Sequence, residues 1–178
     1  MKRVLWLILF LALPVRAADW QSLPAQGELL LAFQPGDDGG ALIESQIRSA
    51  RRQVLVQAFS FTHERIANAL IEAHERGVDV RVLLDREQYL KQRNDQGRRL
   101  RRAGVPLWLD GEHQAAHNKV MIIDAMLPTA TVITGSFNFT HGAQFNNAEN
   151  VLVLRGHAAL ARLFVENWQQ HRLHSIEK

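Results

Sequence analysis

The stretch QVLVQAFSFTHERIANALIEAHERGVDVRVLL, residues 53–84, changes its hydrophobic period twice. Residues 53–59 form a short apolar run suited to a buried strand. From Thr62 the apolar positions fall at Ile66, Ala69, Leu70 and Ala73, one face of a helix, with Thr62 placed as its cap and Gly77 as its stop. Residues 78–84, VDVRVLL, alternate and then turn apolar, a second strand. Strand, helix and strand in sequence make the unit from which α/β folds are built.

The same reading extends outward. Upstream, LLLAF (29–33) is a strand and QPGDDGG (34–40) a turn, with Asp37 and Asp38 placed to cap a helix over 40–52 that buries Ile43, Ile47 and Ala50. Downstream, 87–103 is an arginine-rich helix or loop, and VPLWL (105–109) is a strand. Strands follow at 118–123, 130–135 and 150–154. A last amphipathic helix uses Leu160, Leu163, Phe164 and Trp168. The expected fold class is α/β, a mixed, largely parallel β-sheet sandwiched between helices.

The chain has 178 residues, 47% hydrophobic and 22% charged, enough for one globular domain with a sizeable core. Residues 1–17, MKRVLWLILFLALPVRA, have a basic start, an apolar stretch and a small-residue end, which is how a secretory signal peptide reads. That leaves 18–178 as a single mature domain, periplasmic or secreted, with no stable membrane association after signal cleavage. The formal charge of +3 comes from 21 basic and 18 acidic residues. Lys2, Arg3 and Arg16 leave with the leader, so the mature chain is 18 against 18 and any basic patch must be local. The absence of cysteine excludes disulfides, thiolate zinc sites and cysteine nucleophiles. No clustered carboxylate or histidine spacing stands out, so no metal or other cofactor is expected.

Chemistry concentrates in two stretches. AHNKVMIIDA (116–125) puts His117 and Lys119 two residues apart at the mouth of an apolar strand, hence on one side of it, with Asp124 pointing away. TGSFNFT (134–140) alternates Ser136 and Asn138 with Phe137 and Phe139, and Gly135 permits close backbone approach. Imidazole, ammonium, hydroxyl and amide together suit a phosphate.

HNKVMIID resembles the H-x-K-x-x-x-x-D motif of the phospholipase D superfamily, and GSFN its downstream G-S-x-x-N element in shortened form. The likeness runs from about residue 29 to the C-terminus and is strongest to the small, single-motif bacterial endonucleases of that superfamily. NNAENVLVL (146–154) is similar to their following segment, while the linker AMLPTATVIT (125–134) is longer, read here as a hairpin loop around Pro128. The resemblance implies a metal-free phosphodiesterase in which His117 attacks phosphorus, Lys119 and Asn138 hold the phosphate, Ser136 assists, and Glu149 hydrogen-bonds His117. The motif occurs once. The other histidines, at 63, 74, 113, 141, 157, 171 and 174, lack a lysine two residues on. The second histidine is therefore expected from a homodimer with one composite active site. Nucleic acid is the expected substrate, cleaved without sequence preference, with Arg98, Arg99, Arg101 and Arg102 and the Arg51–Arg52 pair as candidate backbone contacts. The alternatives are a phospholipase or cardiolipin-type hydrolase, and an inactive nucleic-acid-binding accessory protein.

Overall fold

The strand–helix–strand unit forms at β2 (Gln53–Ala58), α2 (Glu64–Glu75) and β3 (Asp79–Asp85). Ile66, Ala69, Leu70 and Ala73 are buried as the helical stripe requires, and Gly77 ends the turn after α2 at φ +85°. Thr62 is not the cap. His63 takes that position, and the amides of Thr62 and His63 both donate to the carbonyl of Phe139, at 2.8 and 2.9 Å. A long-range contact replaces the local cap, and it ties the start of α2 to the segment after Gly135.

These coordinates come from a computed structural model that describes residues 20–92 and 96–178. The expected leader at 1–17 lies outside the described residues. Before β2 come β1 (Glu28–Gln34) and α1 (Gly39–Ser49), the latter capped by Asp38, whose carboxylate accepts from the Ala41 amide at 2.8 Å. After β3 the arginine-rich region forms two short helices, α3 (Arg86–Lys91) and α4 (Gln96–Arg102), which lead into β4 (Leu107–Asp110). Then follow β5 (Lys119–Ile123), β6 (Thr131–Gly135), the short α5 (His141–Phe145), β7 (Glu149–Arg155), α6 (Ala158–Leu173) and β8 (Ile176–Glu177).

The eight strands form one mixed sheet in the order β1-β7-β6-β5-β2-β3-β4-β8. The sheet is mixed and flanked by helices as expected, but it is not largely parallel. Parallel pairing is confined to β2–β3 and β3–β4, and the other five neighbouring pairs are antiparallel. The reason is connection length. Of the strands that neighbour one another, only β2 with β3 and β3 with β4 are joined by a crossover, through α2 and through α3 and α4, whereas β5 to β6 is a hairpin and cannot be parallel.

Alternation along the strands sends side chains to two cores. Val54, Val56, Met121 and Ile123 pack with Ile43, Ile47, Ile66 and Leu70 of α1 and α2 on one face. Leu55, Val120 and Ile122 pack with Trp168 and Phe164 of α6 on the other. Trp168 also donates from its indole nitrogen to the Val56 carbonyl at 2.9 Å, which satisfies the polar end of a fully buried ring. Among the described residues, no helix is long and apolar enough to cross a membrane.

Candidate active site

His117 and Lys119 come from the same edge of β5, and the structure brings their heads together. Lys119 Nζ lies 3.1 Å from His117 Nδ1 and donates to the His117 carbonyl at 2.8 Å. An ammonium has no lone pair, so the charged lysine donates to Nδ1, and a neutral His117 ring then carries its proton on Nε2. His117 is exposed, while Lys119 is buried beneath it. Burial pulls the Lys119 pKa below the ordinary lysine value, and the nearby charge of Glu149 partly opposes that pull.

Phe59, the residue after β2, was not singled out from the sequence. Its ring sits 4.5 Å from the His117 imidazole and 5.1 Å from Lys119 Nζ, a wall that orients both. Position 59 is the last apolar residue of a strand run, and nothing in the run marks it as different from its neighbours.

The second stretch arrives from β6. Antiparallel pairing of β5 and β6 extends to Met121 opposite Ile133, and two further residues in that register set Lys119 level with Gly135. Gly135 has φ +145°, and a Cβ there would stand 2.3 Å from the Asn150 carbonyl oxygen, so the chain passes closer to β7 than any other residue permits. The strand stops at Gly135, yet the expected alternation persists beyond it. Phe137 and Phe139 are buried, Ser136 is exposed and Asn138 is half-buried. The Asn138 side-chain oxygen is buried without a hydrogen-bond partner, a polar group left unused by the fold.

Glu149 does not bond His117 as expected. Its Oε2 accepts from Ser136 Oγ at 2.5 Å and its Oε1 from Asn147 Nδ2 at 3.0 Å. The Ser136 hydroxyl in turn accepts from the Asn150 amide at 3.0 Å and its side chain at 3.3 Å. The reason is proximity along the ladder. Glu149 opens β7, next to the end of β6, and the serine hydroxyl is the donor it meets first. The carboxylate therefore fixes Ser136 and acts on Lys119 through its charge.

Asp124, the last position of the motif, turns away as expected and serves the fold. It is buried, and its carboxylate accepts the amides of Arg51, Arg52 and Gln53 at 2.7–2.9 Å. It thereby anchors the start of β2 at the opposite end of the sheet from His117. The long linker behaves as a hairpin loop, with Leu127 donating to the Asp124 carbonyl at 2.8 Å and Ala130 to that of Leu127 at 3.0 Å.

The Arg51–Arg52 pair shares that far end. β2 runs from there to Ala58, which pairs with Lys119, so the pair lies about 20 Å from the site and does not flank it. The α4 arginines are closer. Arg98 donates to the carbonyls of Gln92 and Tyr89 at 2.9 and 3.2 Å, and Gln92 donates to Ser60 Oγ at 2.5 Å, one residue past Phe59. Tyr89, Arg98, Arg101 and Arg102 line a cleft of about 480 Å³.

The sequence matches the family described as "Cardiolipin synthase, PLD-like domain" over residues 43–171. The chain belongs to the phospholipase D family. It is a phosphodiesterase of that superfamily. It is 40% identical over 144 residues to a phospholipase D of Rickettsia bellii, covering 81% of this chain and 69% of that protein. A mitochondrial cardiolipin hydrolase of Mus musculus is 34% identical over 122 residues, 68% of this chain and 52% of that one. Among solved structures, a phospholipase D family member from Salmonella typhimurium, Nuc, superposes with a TM-score of 0.80 at 33% identity, covering 85% of this chain and 97% of that chain.

One constellation in this phosphodiesterase contradicts the expectation that no metal-ligand set exists. Asp110, at the end of β4, gathers three histidines. His113 Nδ1 lies 3.4 Å from Oδ1, and His171 Nδ1 and His174 Nε2 lie 2.9 and 3.4 Å from Oδ2. Burial pushes the Asp110 carboxyl pKa up, but hydrogen bonds from His171, the Glu112 amide, His174 and His113 outweigh it and hold it below the ordinary value. The two halves of this set are about sixty residues apart and meet where the end of α6 packs on β4, with Trp168 5.9 Å from Trp108, a long-range docking that local pattern does not reveal.

Proposed function

We propose that this phosphodiesterase is an exported, metal-independent endonuclease that acts on DNA without sequence preference, with RNA the other nucleic acid to be tested as its substrate. The observation that carries the reading is the Lys119 ammonium held against an exposed His117 imidazole, with the β5–β6 register bringing the Gly135 end of β6, which leads into Ser136 and Asn138, level with Lys119. An incoming phosphodiester offers Lys119 a stronger acceptor than a neutral ring nitrogen. As the lysine moves to a phosphate oxygen it releases Nδ1, which frees the imidazole to shift its proton and present a lone pair to phosphorus. A ring nitrogen of His117 then bonds to phosphorus, the bond to the leaving oxygen breaks, and a second histidine protonates that oxygen. Water next attacks the phosphohistidine, gives its proton to that second histidine and restores His117. Asn138 has the buried, unused side-chain oxygen of an amide whose NH2 group serves as donor to the phosphate.

Among the described residues, the His117 ring meets Phe59 and Lys119 and hydrogen-bonds no second histidine. This supports a homodimer in which the partner's copy of the same residue acts as the acid. The α4 arginines, connected to the site's edge through Gln92 and Ser60, supply local positive charge for a nucleic-acid backbone. Residues 1–17 are proposed as a cleaved leader that delivers the domain to the periplasm or outside the cell.

A lipid phosphodiester is the second reading, favoured by the names of the relatives, phospholipase D and cardiolipin hydrolase. One experiment separates the two. The mature protein is incubated with plasmid DNA, RNA, and vesicles of phosphatidylcholine with or without cardiolipin. Cleavage of plasmid and intact vesicles are expected. Lipid hydrolysis with uncut plasmid would replace the nuclease reading by the lipid one.

A further inference from the structure

The histidine cluster at the end of β4 has no part in the chemistry of His117. We propose that Asp110, His113, His171 and His174 form a structural site for a divalent transition metal, with zinc its natural occupant. The donor set is three imidazoles and one carboxylate, the nitrogen and oxygen ligands that zinc takes in four-coordinate sites.

The geometry fits this ion. Bonds of about 2.0–2.1 Å in a tetrahedron place ligand atoms about 3.3 Å apart. The three histidine nitrogens lie 2.9, 3.4 and 3.4 Å from the Asp110 oxygens, and all four ligand atoms fall within 4.8 Å of one another. The rings stand 5.0–5.3 Å apart at angles of 44–75°, so they converge by their edges rather than stack. His171 and His174 are three residues apart at the end of α6, which sets them on one face. Asp110 is held in place by the Glu112 amide at 3.1 Å, and its side chain is fully buried. A buried carboxylate encircled by imidazole nitrogens is a donor set suited to a cation. His113 and His174 are exposed, so an ion enters from solvent without opening the core.

Four protein ligands leave no position for a reacting water, so the site is structural. It would tie three things together. The two-residue β8 meets β4 only through Trp108–Glu177, Leu109–Ile176 and the Lys178 amide on the Leu107 carbonyl. The end of α6 carries His171 and His174. His113 begins the loop that delivers His117, a loop held further along by Asp85, which accepts the Ala116 amide at 2.9 Å. The metal would therefore secure the C-terminus and one root of the catalytic loop.

The test uses the full mature chain without a polyhistidine tag, stripped with EDTA and dialysed free of chelator. Zn²⁺ is titrated by calorimetry and Co²⁺ by visible absorption. One ion per chain is expected, with the intense visible bands of tetrahedral Co²⁺. At about a hundredfold excess over Kd, zinc should raise Tm by roughly 5–10 °C. His171→Ala, and His174→Gln at an exposed position that folding tolerates, should abolish the bands and the Tm shift, while His117→Ala keeps both. A folded wild-type chain that takes up no zinc at micromolar concentration would overturn the proposal. So would tetrahedral bands that persist in His174→Gln or vanish in His117→Ala.

Discussion

Two histidine sites, the single His117 and the group of His113, His171 and His174, occupy the same end of the sheet, three strands apart. Lys119 pairs with Ala58, Ala58 with Leu84, and Leu84 with Leu109, so about 14 Å of sheet separates the row of Lys119 from that of Asp110. Their neighbours have opposite charge. His117 stands against an ammonium, and His113, His171 and His174 surround a carboxylate. A cation beside an imidazole repels metal ions and attracts phosphate, whereas a buried anion among imidazoles does the reverse. The same side chain thus serves anion chemistry in one place and cation binding in the other, and the residue two or three positions away decides which.

The largest effect that can break this division is His117→Ala. It should lower plasmid cleavage at least about a thousandfold, with circular dichroism and Tm unchanged because the residue is exposed. Acid-quenched wild type should carry label from a phosphate-labelled substrate on His117. Label on a serine would reassign the nucleophile. Lys119→Met should cost about a hundredfold, since it removes the fixed charge at the phosphate while preserving the packing on Phe59.

Glu149→Gln should cost about tenfold, through a loosened Ser136 and a changed Lys119. The sign is testable. Glu149 raises the Lys119 pKa, so its removal lowers that pKa further, and the basic limb of the rate–pH profile should move to lower pH. An unmoved limb would detach Glu149 from the site. The smallest of these changes is fourfold. Equal refolding of wild type and His117→Ala together should leave about a quarter of the activity of the same total amount of wild type, because random pairing gives wild-type dimers at that fraction. Recovery of half, from chains shown to exchange, would mean that each chain finds its acid internally.

The difference between the two groups also explains what could be read from the sequence. His117 with Lys119, and Ser136 with Asn138, are neighbours along single segments, so alternation alone places each pair on one side. The strand–helix–strand unit at 53–84 was legible for the same local reason. The Glu149–Ser136 bond, the Thr62 and His63 amides on Phe139, and the wall formed by Phe59 depend on which strands lie side by side. Local pattern does not carry that order. The preponderance of antiparallel pairing was hidden likewise, because strand direction is set by how the second half folds back on β2. The Asp110 cluster is the extreme case, joining 110 and 113 to 171 and 174 through the docking of the end of α6 on β4.

The division of labour between the sites is tested most directly by stripping metal and measuring rate and stability on one sample. The wild-type chain is treated with EDTA, its zinc content verified as below about 0.1 ion per chain, and assayed on plasmid and by thermal melting beside a zinc-loaded control. Lys119 and Asn138 meet the phosphate charge at His117, so the cleavage rate should agree with the control within about twofold, while Tm falls by roughly 5–10 °C. A stripped enzyme that loses cleavage at a temperature where it remains folded, and regains it with one zinc per chain, would contradict the account.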